Sequence, residues 1–220
     1  MSEQSELPKL RLLLVADQTE LIDWFMDDVG ALPNGEEEGG HSFMLSNHLL
    51  HIQTLSAPPE NAKALAPTID LMVGLMRFVD VISLQNMSQI LNALPSDWRI
   101  PAGFFIYRNE GETDFKMSCP YCGQKLWVRD ADQDKRGRCP NCKKGFTLPA
   151  QEEHLNQSLR LRESILVRRI EKGTPTSISG PLKALIRMQA GGVRLKEASG
   201  RIFGESGETM NVNLETGPID

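Results

Sequence analysis

Long hydrophobic runs and an excess of positive charge are both missing from this sequence of 220 residues. No apolar stretch approaches the roughly 18 residues that a membrane-spanning helix needs. The early apolar run Leu12–Ala16 is too short for the hydrophobic region of a secretory signal. Lysine and arginine number 24 against 29 for aspartate and glutamate, so the net charge of −5 excludes a wholly basic, histone-like chain. We therefore expect a cytoplasmic protein without a membrane partner.

The motifs of common catalytic centres are missing as well. The chain has no G-x-S-x-G nucleophile elbow. The segment Ala16–Asp23 contains neither the glycines nor the lysine of a phosphate-binding loop. The histidines at 41, 48, 51 and 154 are scattered, and none lies at ligand spacing from a cysteine. The sequence therefore predicts a protein that is not an enzyme.

Cysteine is scarce, but its four copies lie in two matched pairs. Cys119 and Cys122 form one C-x2-C turn, and Cys139 and Cys142 form a second after sixteen intervening residues. Two such turns supply four sulfur ligands to one tetrahedral ion. Disulfides would allow three pairings, and a rubredoxin-like iron site would use the same four sulfurs, but a reducing compartment and this spacing favour zinc. With four protein ligands the ion would be structural, one per chain.

The sequence around these cysteines also resembles a known family. CPYCGQKLWV and CPNCKKGFTLP, within about 117–149, resemble the paired C-P-x-C knuckles of bacterial zinc ribbons. The resemblance implies a structural Zn²⁺ held by Cys119, Cys122, Cys139 and Cys142. Strands are predicted after each knuckle, at Leu126–Val128 and at Phe146–Leu148.

Short apolar segments alternate with helical patterns in the first half of the chain. Strands are predicted at Leu10–Ala16, Leu49–Leu55, Ile69–Leu75 and Ala102–Tyr107, helices over 17–29, 58–65 and 79–94, and a loop over 31–40. Strands that alternate with helices indicate a parallel sheet in a layered α/β domain.

This half of the chain resembles the receiver domains of response regulators over about 10–108. LLVADQTEL at 13–21 is similar to their first strand and acidic turn, and TLSAPPENA at 54–62 to their second strand and following helix. The resemblance implies a layered, receiver-like (flavodoxin-like) fold. A receiver accepts phosphate on an aspartate that ends its third strand, where this chain has Gly74 and Leu75. No fifth strand with its lysine is evident before the cysteines, so we expect a pseudo-receiver that cannot carry a phosphorelay.

A degenerate small-GTPase-like domain is the alternative interpretation of the same strands. His51–Ala57 would then lie at the switch strand and Tyr107–Glu112 at the base-recognition strand. Because the phosphate loop is missing, this alternative predicts an adaptor that does not hydrolyse nucleotide.

Charge separates the modules. Residues 1–115 carry a net charge of −11, whereas 116–149 carry +5. A helix is predicted over 151–172, after Pro149 and before Gly173, and a second over Leu182–Gln189. We divide the chain into a receiver-like α/β domain (1–115), a zinc ribbon (116–149), an amphipathic basic helix (150–172) and a short helix with a flexible tail (173–220).

These features predict a non-enzymatic cytoplasmic regulatory or scaffolding protein. It would bind partner proteins through its pseudo-receiver domain and its structural zinc ribbon. The alternative partner is nucleic acid, bound by the basic ribbon and the following helix with Trp127 and Phe146 as a stacking platform. The contact residues would be Lys125, Trp127, Arg129, Arg136, Arg138, Lys143 and Lys144.

Overall fold

A computed structural model describes residues 7–33, 40–56, 69–94, 100–159, 161 and 165–190. The helix predicted over 58–65 and the tail predicted after the last helix lie outside these residues. No helix in the described part of the chain is long and apolar enough to cross a membrane.

The described residues form eleven strands and four α-helices. In chain order they are β1 (Lys9–Ala16), α1 (Glu20–Val29), β2 (Leu32–Pro33), β3 (His41–Leu45), β4 (His48–Ser56), β5 (Leu71–Met76), α2 (Val81–Ala93), β6 (Ala102–Arg108), β7 (Asp114–Ser118), β8 (Lys125–Arg129), β9 (Arg136–Arg138), β10 (Gly145–Thr147), α3 (Gln151–Leu159), β11 (Leu166–Glu171) and α4 (Pro175–Ala190).

Seven of these strands form one mostly parallel sheet in the order β11-β6-β5-β1-β4-β3-β2. The strands β1, β4, β5, β6 and β11 are parallel, whereas β3 is antiparallel to β4 and β2 is antiparallel to β3. The five parallel strands, numbered in chain order, run 2-1-3-4-5, which is the flavodoxin-like order. The predicted α/β class is therefore confirmed, and the sheet is mostly parallel where a parallel sheet was predicted.

The central strands are apolar on both faces because helices cover both sides of the sheet. In β1, Leu13 and Val15 pack in the core that α2 and α3 cover, whereas Leu12 and Leu14 pack in the core under α1 and α4. At Gly74 of β5 an added Cβ would lie 2.6 Å from the Phe104 ring. The Phe104 ring therefore leaves no room for a side chain at Gly74, near the end of the third parallel strand, where a receiver has its phosphate-accepting aspartate.

The helix predicted over 151–172 is wrong in its second half. Helix α3 ends at Leu159, and Leu166–Glu171 is the edge strand β11, which pairs in parallel with β6. Val167 packs on one face of the sheet and Ile170 on the other, as the two-residue period of a strand requires. The same apolar residues also fit a helical period, which explains the error. The fifth parallel strand therefore follows the cysteines instead of preceding them.

The cysteine-bearing segment is inserted in the chain between β6 and β11, which are neighbours in the sheet. The chain leaves the sheet at the end of β6, forms β7–β10, and returns through α3 to β11. The α/β unit thus draws elements from both sides of that segment. Two smaller findings also differ from the prediction: β2 lies inside the predicted loop over 31–40, and α4 begins at Pro175.

Candidate metal centre

Two antiparallel hairpins carry the four cysteines. The pair Cys119 and Cys122 lies in the turn between β7 and β8, and Cys139 and Cys142 lie in the turn between β9 and β10. Both turns have the same backbone hydrogen bonds, in which the first cysteine of each pair donates its N–H to the residue five positions later. The position after the second cysteine is left-handed in both turns, at Gly123 in one and at Lys143 in the other. The left-handed backbone conformation costs about 1 kcal/mol for a lysine, so contacts in the rest of the turn must stabilise Lys143 in this conformation.

The sulfur atoms of the two turns converge on one point. All four Sγ atoms lie within 4.8 Å of one another. Cys119 Sγ lies 3.8 Å from Cys142 Sγ, and Cys122 Sγ lies 3.7 Å from Cys139 Sγ. A tetrahedral ion with metal–sulfur bonds of about 2.3 Å would separate its ligands by about 3.8 Å. The four cysteines could therefore coordinate one metal ion, and all four thiols are free of disulfides.

The protein environment acts differently on the two thiols of the first turn. Burial raises the pKa of Cys119 to about 11. The backbone N–H of Gln124 lowers the pKa of Cys122 to about 6. A metal ion binds the thiolate form, so metal binding at this site would release protons.

The ribbon, defined here as β7–β10 with its turns, has a small core of its own. Phe115, Met117 and Val128 are buried there, and Phe146 packs against them with a ring edge toward Tyr121 at 6.4 Å between centroids. Trp127 points the other way and is 65% exposed. The stacking platform predicted from the sequence therefore does not form, because Phe146 serves the core while Trp127 faces outward.

One side of the ribbon is attached to the sheet by a network of charges around Asp130. Arg108 at the end of β6 is buried, and its Nη1 lies 2.6 Å from Asp130 Oδ2. Arg169 of β11 reaches Asp130 Oδ1 at 3.1 Å and Glu152 of α3 at 2.7 Å. The two arginines come from neighbouring parallel strands, so they hold the ribbon carboxylate between them.

The other side of the ribbon lies against the loop after β5. Val79 forms a β-bridge with Met117, and Lys125 Nζ lies 3.2 Å from the carboxylate of Asp80. Asp80 also caps α2 by accepting a hydrogen bond from the Ser83 N–H at 3.0 Å. The ribbon therefore sits at the carboxyl ends of the parallel strands, which is the edge where doubly wound domains bind ligands.

The chain's own side chains fill much of this edge. Arg77, after β5, approaches Glu112 at 3.3 Å and Asn109 at 3.4 Å, both in the loop after β6. Asp17, after β1, is 4% exposed, and neither carboxylate oxygen accepts a hydrogen bond from the described residues. Burial raises the pKa of Asp17 to about 6, and the negative charge of Asp80 acts in the same direction.

The structure brings together the four predicted metal ligands and divides the predicted contact residues. Lys125, Trp127 and Arg129 alternate along the exposed face of β8. The other four contact residues lie on β9 and in the second cysteine turn: Arg136, Arg138, Lys143 and Lys144. Arg108, Asp130 and Arg169 were not predicted as functional residues from the sequence. Arg108 ends β6 and Arg169 lies within β11, so their proximity follows only when Leu166–Glu171 is recognised as a strand.

Comparisons with known proteins do not place the chain in a family. No protein-family model matches it, and no curated protein matches it. Among solved structures, the crystal structure of Campylobacter jejuni 5'-methylthioadenosine/S-adenosyl homocysteine nucleosidase is similar over 81% of this chain and 71% of that chain. The sequence identity is 11% and the TM-score is 0.20. At this TM-score the likeness indicates neither a shared fold nor a shared activity.

Loss of Asp130 should destabilise the protein. Asp130→Ala would leave the buried Arg108 guanidinium without its carboxylate, at a cost of about 2 kcal/mol in the free energy of unfolding. Urea denaturation followed by circular dichroism measures this change. The matched control is Asp132→Ala, which removes a carboxylate paired only with the exposed side chains of Arg129 and Lys135. Equal stability of the two variants would contradict the proposed attachment.

Asp17 should make the protein less stable as the pH rises. Its folded pKa of about 6 lies above the value of 3.8 for an unperturbed aspartate. The folded state therefore gains stability from protonated Asp17 below about pH 4 and loses that gain as the pH passes 6, by up to about 3 kcal/mol. Asp17→Asn should remove this dependence and be more stable than the wild type at pH 7.5. Urea denaturation between pH 5 and 7.5 tests it, with the exposed Asp23→Asn as control; an Asp17→Asn protein less stable at pH 7.5 would refute it.

Proposed function

We propose that this chain is a non-enzymatic regulatory or scaffolding protein whose structural zinc ribbon is mounted on a pseudo-receiver-like α/β domain and binds partner proteins. The observation that carries the proposal is the position of the ribbon. It covers the edge of the sheet where a catalytic or ligand-binding site of a doubly wound domain would lie.

The metal in this proposal is Zn²⁺. Four sulfur ligands at tetrahedral spacing suit zinc, and a full set of protein ligands leaves no position for a reacting water. The ion would act by folding the ribbon, since the core around Phe115, Met117 and Val128 is too small to hold two hairpins alone.

The sheet edge supports a role without catalysis. In β5, Gly74 and Leu75 stand where a receiver needs a phosphate-accepting carboxylate, and the residue that follows the strand is the cation Arg77. The Arg77 guanidinium is paired with the carboxylate of Glu112. A phosphorylated or nucleotide-bound state would have to displace these contacts.

A second candidate is a degenerate GTPase-like adaptor without hydrolysis. The observation that favours it is the antiparallel strand β3, which stands between α1 and β4 and pairs with β4. The receiver-like interpretation predicted a parallel sheet, and this antiparallel strand departs from it. Both candidates lead to a protein that works by binding, and they differ in the ancestry of the α/β domain.

Purified protein should contain one equivalent of zinc. Elemental analysis by mass spectrometry measures it, and Cys119→Ser should retain less than half of that amount because three sulfurs hold the ion less tightly. The exposed Lys144→Ala in the other cysteine turn is the control and should keep its zinc. A full equivalent of iron, or chelator-resistant folding without metal, would contradict the assignment.

The scaffolding role is tested by partner capture combined with activity assays. Immobilised wild-type protein and the Lys183→Ala control should retain the same host protein, whereas Cys119→Ser should lose it because the ribbon is unfolded. Acetyl phosphate should leave the intact mass unchanged, and GTP should not be hydrolysed. Turnover of either compound without partner capture would refute the proposal.

A further inference from the structure

A row of alternating cations and aromatic rings runs along the carboxyl edge of the sheet and onto the ribbon. Lys172 Nζ lies 3.7 Å from the centre of the Trp24 ring, and Arg77 Cζ lies 5.3 Å from the same ring and 5.2 Å from Phe78. Lys116 Nζ lies 4.0 Å from the Phe78 ring and 4.7 Å from the ring of Trp127. Each distance is short enough for a cation–π contact.

The ribbon end of this row is open to solvent. Trp127 is largely exposed, and Phe78 is only partly covered. Trp127 stands opposite Lys116 in the β7–β8 hairpin, and Lys125 and Arg129 lie on the same face of β8. At the other end, the half-buried Trp24 packs edge-on against Tyr107. A ligand would therefore reach the row at Trp127.

The fold itself does not need Trp127 on this face. The ribbon core lies on the opposite face of the hairpin, where Phe115, Met117 and Val128 are buried. Trp127 therefore presents a large exposed ring beside cations, an arrangement that offers a flat apolar surface and positive charge to the same ligand.

Among the cations on this face of the β7–β8 hairpin, Lys116 is the one whose charge is not paired with a carboxylate of the described residues. Lys125 is paired with Asp80, and Arg129 with Asp132, whereas no carboxylate of the described residues lies within ion-pair distance of Lys116. Its contacts are the two rings. The surrounding segment 116–149 carries a net charge of +5, which attracts a polyanion to this part of an otherwise acidic protein.

We propose that Trp127, Lys116 and Phe78 form a stacking site for single-stranded nucleic acid that spans the ribbon and the edge of the sheet. A base stacks on the exposed face of Trp127, and a neighbouring phosphate meets Lys116. A duplex is excluded as the main ligand because its bases are stacked inside and cannot reach a side-chain ring. This site goes beyond the adaptor role and does not depend on it.

The proposal differs from the platform predicted from the sequence in its second ring. Phe146 packs inside the ribbon, and Phe78, which comes from the loop after β5, takes its place. The site is therefore complete only when the ribbon lies on the sheet. This dependence provides a specific test, because a ribbon-only platform would not respond to a change at Phe78.

The experiment is a fluorescence anisotropy titration of a labelled oligothymidylate with the zinc-loaded full chain at several salt concentrations. Wild type should bind with an affinity that falls as salt rises, and a duplex of equal length should bind less tightly. Trp127→Ala and Phe78→Ala should each weaken binding about tenfold, and Trp127→Phe should retain most of it. Lys116→Ala should lower the slope of log affinity against log salt by about 0.7, whereas the exposed control Lys183→Ala should change neither quantity.

Several results would overturn the proposal. They are an absence of salt-dependent binding by the wild type, tighter binding of the duplex, or equal affinities of wild type and Trp127→Ala at unchanged zinc content and circular dichroism. An unchanged affinity of Phe78→Ala would refute the composite site. Binding of a polyglutamate peptide in place of the oligonucleotide would assign this face to an acidic protein partner instead.

Discussion

The parallel pairing of β6 with β11 is the interaction on which the arrangement of the other parts depends. It joins segments that precede and follow the ribbon, so both ends of the ribbon are fixed to neighbouring strands of one sheet. Arg108 and Arg169 thereby lie on adjacent strands, two register positions apart. Without this pairing Asp130 would lose its ion pair with Arg169, and only the β6 end of the ribbon would be fixed to the sheet.

The charges at the ribbon boundary fix a position more than they add stability. Burial of Arg108 carries a free-energy penalty because its guanidinium loses water. The short charged hydrogen bond to Asp130 offsets part of this penalty. A further ion pair, between Lys125 and Asp80, lies on the other side of the ribbon. Ion pairs on both sides of the ribbon and one backbone bridge define a single orientation, in which the exposed ring of Trp127 and the ring of Phe78 share one lysine. These contacts depend on single residues and not on the net charges of the segments, since Asp130 belongs to the basic segment and Arg108 to the acidic one.

Prediction from the sequence succeeded where the signal is local. The segments LLLVA at 12–16 and LMVGLM at 71–76 are continuous apolar runs, and both lie in strands and are buried on two faces. The two C-x2-C turns place their sulfurs together because each turn is closed by its own backbone hydrogen bonds. Prediction failed at Leu166–Glu171, where the apolar spacing fits a helix as well as a strand. Only the presence of β6 with free backbone groups along its edge decides between the two.

The sequence by itself determined the ligand set, the α/β class and the opposite charges of its segments, because each of these is a property of neighbouring residues. The tertiary structure alone decided that β11 completes the sheet, that Asp130 lies between two arginines and that Phe78 shares Lys116 with Trp127. These contacts join residues that are far apart in the chain: Lys116 follows Phe78 by 38 positions, and Arg169 follows Asp130 by 39. No local period encodes such pairs; the folded sheet brings them together.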